Sequence, residues 1–277
     1  MSPNKLVATL CSAKTTLKKK PRVSAVYLFL RIAVTVVMVA QFFNKNFENV
    51  FLCMLTLTLF LIPTILEKEL KIVLPNTLEI IVLLFIFAAE ILGEIRAYYI
   101  TYPGWDTLLH TLNGFLCAAI GFALVDMLNR NERLSLSMSP VFMAITAFCF
   151  SMTIGIMWEF FECGMDHFFL LDMQKDTIVQ QISTVMLDPS HQNHTVVIKG
   201  ITDVILVTKD GQIPLGLGGY LDLGLFDTMK DLAVNFIGAV VFSVIGYFYV
   251  KNRGKGRVAG SFIPKVIDNF FESSDKE

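Results

Sequence analysis

Six stretches of this sequence run for roughly twenty residues with few charges, the length an α-helix needs to cross the ~30 Å hydrocarbon core of a bilayer. They fall at residues 23–43, 50–66, 76–95, 107–128, 140–161 and 229–250. Inside lipid every backbone N–H and C=O must be satisfied within the protein, so stretches of this length fold as helices. The predicted fold class is an all-α membrane protein, a bundle of about six transmembrane helices with a small outer loop region containing a β-hairpin. Composition agrees: 17% of the chain is charged, against ~25% in an average soluble domain, and mean hydropathy is +0.61. Pro63, near the end of the second stretch, predicts a kink or an early stop there.

The positive-inside rule sets the orientation. Sixteen Lys and Arg residues fall in the N-terminal tail, the second and fourth loops (Lys68, Lys71, Arg130, Arg133) and the C-terminal tail. The opposite side holds Lys45, Arg96, Lys175, Lys199, Lys209 and Lys230, the last four spread over a long connection and its end, while Arg31 lies inside the first span. Both termini are expected in the cytoplasm and the protein in the plasma membrane. The segments expected are a basic tail (1–22), five spans (23–169), an outer loop or cap (170–226), a sixth span (227–250) and a cytoplasmic tail (251–277), acidic and disordered after Ile267. The first apolar run is too long for a signal-peptide core and should remain as a span.

Net charge is −1 and the basic residues lie mostly at the ends and in short loops, so no nucleic-acid partner is expected. The partners this composition implies are the lipid bilayer and a lipid or small-molecule substrate. The five cysteines share no metal-ligand spacing and read as small apolar fillers. In the outer connection, the β-branched runs 195–198 and 204–208, with the Asp-Gly of Lys209-Asp210-Gly211-Gln212 after the second, predict a hairpin. The glycine-rich Gly216-Leu217-Gly218-Gly219 reads as a flexible return into the last span.

The membrane-adjacent acids carry the functional signal. Glu90 and Glu94, Asp106 and His110, Glu159 with Glu162 and Asp166, and Asp227 with Asp231 and Asn235 are each spaced three or four residues apart, which stacks them on one helical face. Given the orientation, all four sets lie at the outer side. Single pairs of this kind snorkel into headgroups; four coincident sets ask for a cation or for protons, because so many carboxylates cannot all stay ionised in a partly dry cavity. Oxygen-rich donors with one imidazole suit a divalent ion, and Mg, Mn, Ca, Zn and Fe are not distinguished. The expected metal ligands are Asp106, His110, Glu159, Asp227 and Asp231, with Glu90, Glu94, Glu162, Asp166 and Asn235 supporting them and Glu159 also the candidate catalytic base. Trp105 and Trp158 flank the set, and Gly93, Gly114, Gly155 and Gly238 would let helices approach closely. His191 and His194 lie in a polar stretch and His167 at an interface, where solvated roles are expected. Asp126 is expected to snorkel to the cytoplasmic surface.

The strings Trp105-Asp106-Thr107-Leu108-Leu109-His110-Thr111-Leu112-Asn113-Gly114, Trp158-Glu159-Phe160-Phe161-Glu162 and Asp227-Thr228-Met229-Lys230-Asp231-Leu232, with Gly238-Ala239, occur in this order. The chain resembles in them the YjdF-like family of bacterial inner-membrane proteins, over residues 78–250. That resemblance implies the fold and the motif positions and supplies no reaction.

Three functions compete. A metal-dependent membrane enzyme would activate water or polarise a phosphoryl group at the outer face; no nucleophile elbow and no HExxH occurs. A cation or proton-coupled transporter or sensor would need polar groups continuing inward, and the inner halves of these spans are apolar. In a structural subunit the carboxylates would satisfy one another.

Overall fold

The computed structural model describes residues 20–69, 72–129, 137–252, 260–263 and 265–266. Most of the basic tail, Lys71, Arg130, Arg133 and the tail after Ile267 lie outside them. The fold is mostly helical with small strand pairs, and five helices are long and apolar enough to cross a membrane by length and composition: Pro21–Phe43, Phe47–Glu69, Trp105–Asn129, Pro140–Phe169 and Leu225–Lys251. The described chain divides into two compact units, Gly155–Ala233 and the remainder.

The larger unit begins with α1 (Pro21–Phe43), whose proline fits the first turn because no N–H is needed there. Asn46 caps α2 (Phe47–Leu59) by accepting from the Asn49 N–H at 3.2 Å. The helix breaks at Phe60 and Leu61 and resumes as α3 (Ile62–Glu69), with Pro63 in the first turn; the interruption expected at this proline is present.

The stretch at 76–95 departs from a uniform α-helix. α4 (Asn76–Phe87) gives way to a π-helical segment, Ala88–Ile95, closed by an i−5 bond from the Arg96 N–H to the Ile91 carbonyl at 3.1 Å. Gly93 makes room for a ring: a Cβ there would lie 2.3 Å from Tyr99 Cε2, so the short α5 (Tyr98–Thr101) folds back onto the wide turn. π-segments of this kind recur at functional sites.

α6 (Trp105–Asn129), the first half of α7 (Pro140–Phe169) and the second half of α8 (Leu225–Lys251) form the centre of this unit. Gly114 and Gly238 let α6 and α8 touch backbone to backbone: an added Cβ would fall 2.1 Å from the Asn235 carbonyl oxygen and 2.0 Å from that of Thr111, respectively. Small residues at such crossings replace the hydrophobic drive that lipid removes. Below the crossing, Phe122 packs on Phe242 and would meet a Cβ at Gly246, so α6 and α8 run in the same direction. α7 runs against them, from Met143 beside Asn129 to Ser151, which donates to the Gly114 carbonyl at 2.7 Å. One buried cluster joins these helices through Leu116, Ala119, Phe122, Met143, Ala147, Ala239 and Phe242; a second joins α1, α2, α4 and the π-segment through Val34, Cys53, Phe60, Leu83 and Ile91. Asp126 is buried at 8% exposure, so the expected cytoplasmic snorkel does not occur.

Lys20 ties three helix ends together. Its ammonium donates to Glu67 and Glu79, both at 2.7 Å, and to the Leu74 carbonyl at 3.0 Å. Burial alone would lower its pKa, but the hydrogen bonds and charges of the two glutamates outweigh it and hold it above the ordinary value of 10.5. The contribution is therefore complete below 10.5 and lost only as pH rises past the raised folded value. Lys20→Met should cost about 1–3 kcal/mol, since it leaves two half-buried carboxylates together. Thermal melts of the detergent-solubilised protein would register it, and an unchanged Tm would refute the coupling.

The larger unit has one short antiparallel pair, β1 (Ile72–Val73) with β8 (Lys265–Val266). The smaller unit holds the last turns of α7, the first turns of α8 and three antiparallel strand pairs. β2 (Thr177–Val179) pairs with β7 (Tyr220–Asp222), β3 (Gln181–Thr184) with β4 (Val196–Lys199), and β5 (Ile205–Thr208) with β6 (Gly211–Pro214). The expected hairpin is β5–β6, turning at Lys209 and Asp210. The glycine-rich run is not a loose return: it leads into β7, and Gly219 lies so close to Val179 that a Cβ would be 2.7 Å from its carbonyl oxygen.

A buried aspartate organises the turn between β3 and β4. Asp188, 5% exposed, accepts from Ser190 N–H and Oγ and from the N–H groups of Gln192 and His194 at 2.7–3.0 Å. The turn it organises covers it, rather than a surrounding core. Hydrogen bonding, first from the Ser190 hydroxyl and then from these N–H groups, holds its carboxyl at about 2 against an ordinary 3.8. Its stabilisation is present above 3.8 and lost as pH falls through about 2. Asp188→Ala should make the segment between β3 and β4 cleave several-fold faster at neutral pH in limited proteolysis, and resistance equal to the parent's would refute this role.

Candidate functional site

In the larger unit, α6 presents Asp106 and His110 one turn apart, Asp106 Oδ1 lying 3.4 Å from His110 Nε2, both half-buried. A further turn along, Asn113 donates to Asn235 Oδ1 at 3.3 Å, while Asn235 Nδ2 points to Met152 Sδ at 3.5 Å. Asn235 is 1% exposed and so ties α6, α7 and α8 together. Sequence spacing marked it as an orienting residue; its partners are helices rather than a carboxylate. Trp105 packs edge-on against Tyr98 at 5.0 Å, and its buried indole N–H has no hydrogen-bond acceptor. Glu90 is half-buried on the π-segment and Glu94 is exposed.

In the smaller unit the acids separate by role. Glu159 and Glu162 are buried on α7 at 4% and 8% exposure, and Glu162 accepts from the Trp158 indole at 2.8 Å. A tryptophan four residues before a glutamate thus fixes that carboxylate, a relation already present in the WExxE string. On α8, Asp231 is 1% exposed with Lys230 Nζ 3.6 Å away. Asp166 and Asp227 close the base of the strand region instead. Asp166 accepts from the Met173 and Gln174 N–H groups at 2.6 and 2.8 Å. Asp227 accepts from the Lys175 N–H and from Lys230 Nζ, both at 2.8 Å, and Gln174 reaches Thr228 beside it. The backbone donors that these two carboxylates serve have no signature in the sequence.

The remaining histidines are outside this arrangement. His167 is exposed and meets the Phe168 ring edge-on, and His191 and His194 are exposed in the turn held by Asp188, where His194 Nδ1 lies 3.1 Å from Ser190 Oγ. Gly155 is buried on α7, consistent with a close approach there.

No curated protein and no solved structure matches this chain. A family model does, over residues 26–252, which takes in four of the five long apolar helices whole, all but the first five residues of α1, and all three motif strings, in keeping with the YjdF-like resemblance. The chain belongs to the family described as predicted membrane protein (DUF2238).

Proposed function

We propose that this is a six-span protein of the plasma membrane, both termini cytoplasmic, that holds a divalent cation at the outer ends of α6, α7 and α8 and uses it on a lipid or small-molecule substrate. The observation that carries the reading is the crossing at Gly114, Ser151 and Asn235. Counted in turns from it, α6 carries His110 then Asp106, α8 carries Asp231 then Asp227, and α7 carries Glu159 and Glu162. On its own helix each set lies on faces within about a quarter-turn of the residue at the crossing. Asp106, His110 and Asp231 are the ligands we propose for the ion, with Glu159 and Glu162 as supporting acids.

Two oxygens and an imidazole suit Mn, Zn or Fe among the divalent ions, and a bound ion would acidify water or polarise a phosphoryl oxygen. The chain's own part is orientation: Trp158 holds Glu162 and Asp106 lies beside the His110 ring, and Glu159 would be the base that takes a proton. Asp227, whose oxygens already serve Lys175 and Lys230, keeps the base of the strand region closed.

Chemistry at the outer face is favoured over passage. Inward of the Asn113–Asn235 layer, α6 and α8 are sealed by Leu116, Ala119, Phe122, Ala239 and Phe242, and the one acid on these two helices beyond that layer is Asp126, near the inner end of α6. Bound metal measured by mass spectrometry on the purified protein tests the reading: a stoichiometric ion in the parent, lost in Asp106→Ala, His110→Ala and Asp231→Ala alike, is the expected result. A parent that holds no metal after growth with each candidate ion would end it.

A further inference from the structure

Arg31 is the one basic residue in the interior of the first apolar stretch, and nothing in the proposed cation site uses it. It stands ten residues from the start of α1 and twelve from its end, so at 1.5 Å per residue it is about 15 Å from either surface, the middle of a ~30 Å core. A guanidinium at that depth is costly and sits where neither headgroup layer is within easy reach. Among the described residues it makes no ion pair. It rests over the Tyr27 ring, 5.0 Å from the centroid.

The surroundings of Arg31 form a face rather than a buried pocket. Arg31, Ile32, Thr35 and Val36 line an open depression of about 340 Å³ on α1. The same side of the helix continues as an exposed apolar stripe through Leu28, Phe29, Ile32, Val36 and Val39, while the opposite side packs inward through Val23, Leu30 and Val34. Thr35 donates its hydroxyl back to the Arg31 carbonyl at 2.7 Å.

We propose that this face of α1 docks a transmembrane helix of a different protein that carries an Asp or Glu at mid-bilayer depth. Charge complementarity selects the occupant: a carboxylate opposite Arg31 removes two intramembrane charge penalties together. A second copy of this chain does not supply it, because the central residues of its apolar stretches include no acid. The apolar stripe provides the packing surface on either side of the ion pair.

The probes are synthetic transmembrane helices of about 23 residues, built from Leu and Ala with Lys at both ends and either Asp or Leu at the centre. Energy transfer from labelled full-length protein to labelled helix is measured in phosphatidylcholine vesicles. The Asp helix should associate about tenfold more tightly than the Leu helix, the preference should vanish in Arg31→Leu, and Arg31→Lys should keep part of it. Arg31→Leu places an apolar side chain on a lipid-facing surface and should fold as the parent does, checked by its elution volume and Tm. Equal association of the two helices, or a preference that survives in Arg31→Leu, overturns the proposal. So does energy transfer between two copies of the parent that disappears in Arg31→Leu, which would make the occupant a second copy.

Discussion

Gly238→Ala should be among the most damaging single-methyl changes available in this chain. The added Cβ would stand 2.0 Å from the Thr111 carbonyl oxygen and 2.9 Å from the Phe115 nitrogen, both backbone atoms in the middle of a helix. A flexible side chain could turn aside; two helix backbones can only separate. Separation loosens the Gly114–Asn235 contact and the Phe115–Phe242 and Phe122–Phe242 ring pairs beneath it. Overpacking of a rigid site costs up to about 3 kcal/mol or more, which is a fall in Tm of about 6–12 °C for a protein of this size. Gly164→Ala is the matched control: it lies on α7 with nothing within 4 Å of the added Cβ, so it should be neutral or slightly stabilising. If the two variants melt together, the crossing of α6 and α8 is not the anchor described above.

Removal of His110 should have the largest effect on metal affinity. His110 is the one imidazole among the proposed ligands, and replacing it with alanine takes away their only nitrogen donor. Loss of an outer partner of a ligand typically weakens a site about 10–100-fold, so loss of a ligand itself should exceed about a hundredfold. Titration with Mn²⁺ or Zn²⁺ on metal-stripped protein would measure this. Trp158→Phe, which only frees Glu162, should fall in the smaller range. Asp166→Asn should leave affinity unchanged, because that carboxylate binds the Met173 and Gln174 backbone. Equal losses for Asp166→Asn and His110→Ala would mean that the changes act through folding and not through ligation.

The contrast between those two residues marks the limit of spacing as a guide. Glu162 and Asp166 are neighbours on one helical face, both carboxylates in the last turns of α7. One is held by an indole four residues away, which the sequence displays; the other is taken by backbone N–H groups seven and eight residues on, which it does not. Asp227 repeats the case, its backbone donor at Lys175 being fifty-two residues away. Gly93 and Gly114 looked equivalent as small residues, yet one receives the ring of Tyr99 from the adjoining turn and the other a distant helix backbone.

The amino-acid sequence by itself determined that this chain belongs in a membrane, where four of its five long helices begin and end to within four residues, and where the β5–β6 hairpin turns; α7 alone runs on, eight residues past the expected Phe161. Those properties follow from local rules: hydrocarbon thickness, backbone hydrogen bonding that lipid cannot supply, and turn chemistry. Only the tertiary structure decided which glycines bear the helix crossing, that the third apolar stretch winds into a π-segment, that Asp126 is buried, and which carboxylates are consumed in closing the strand region. The reason is physical: i,i+4 spacing places side chains on a common face, but what stands opposite that face is set by residues far away in the chain.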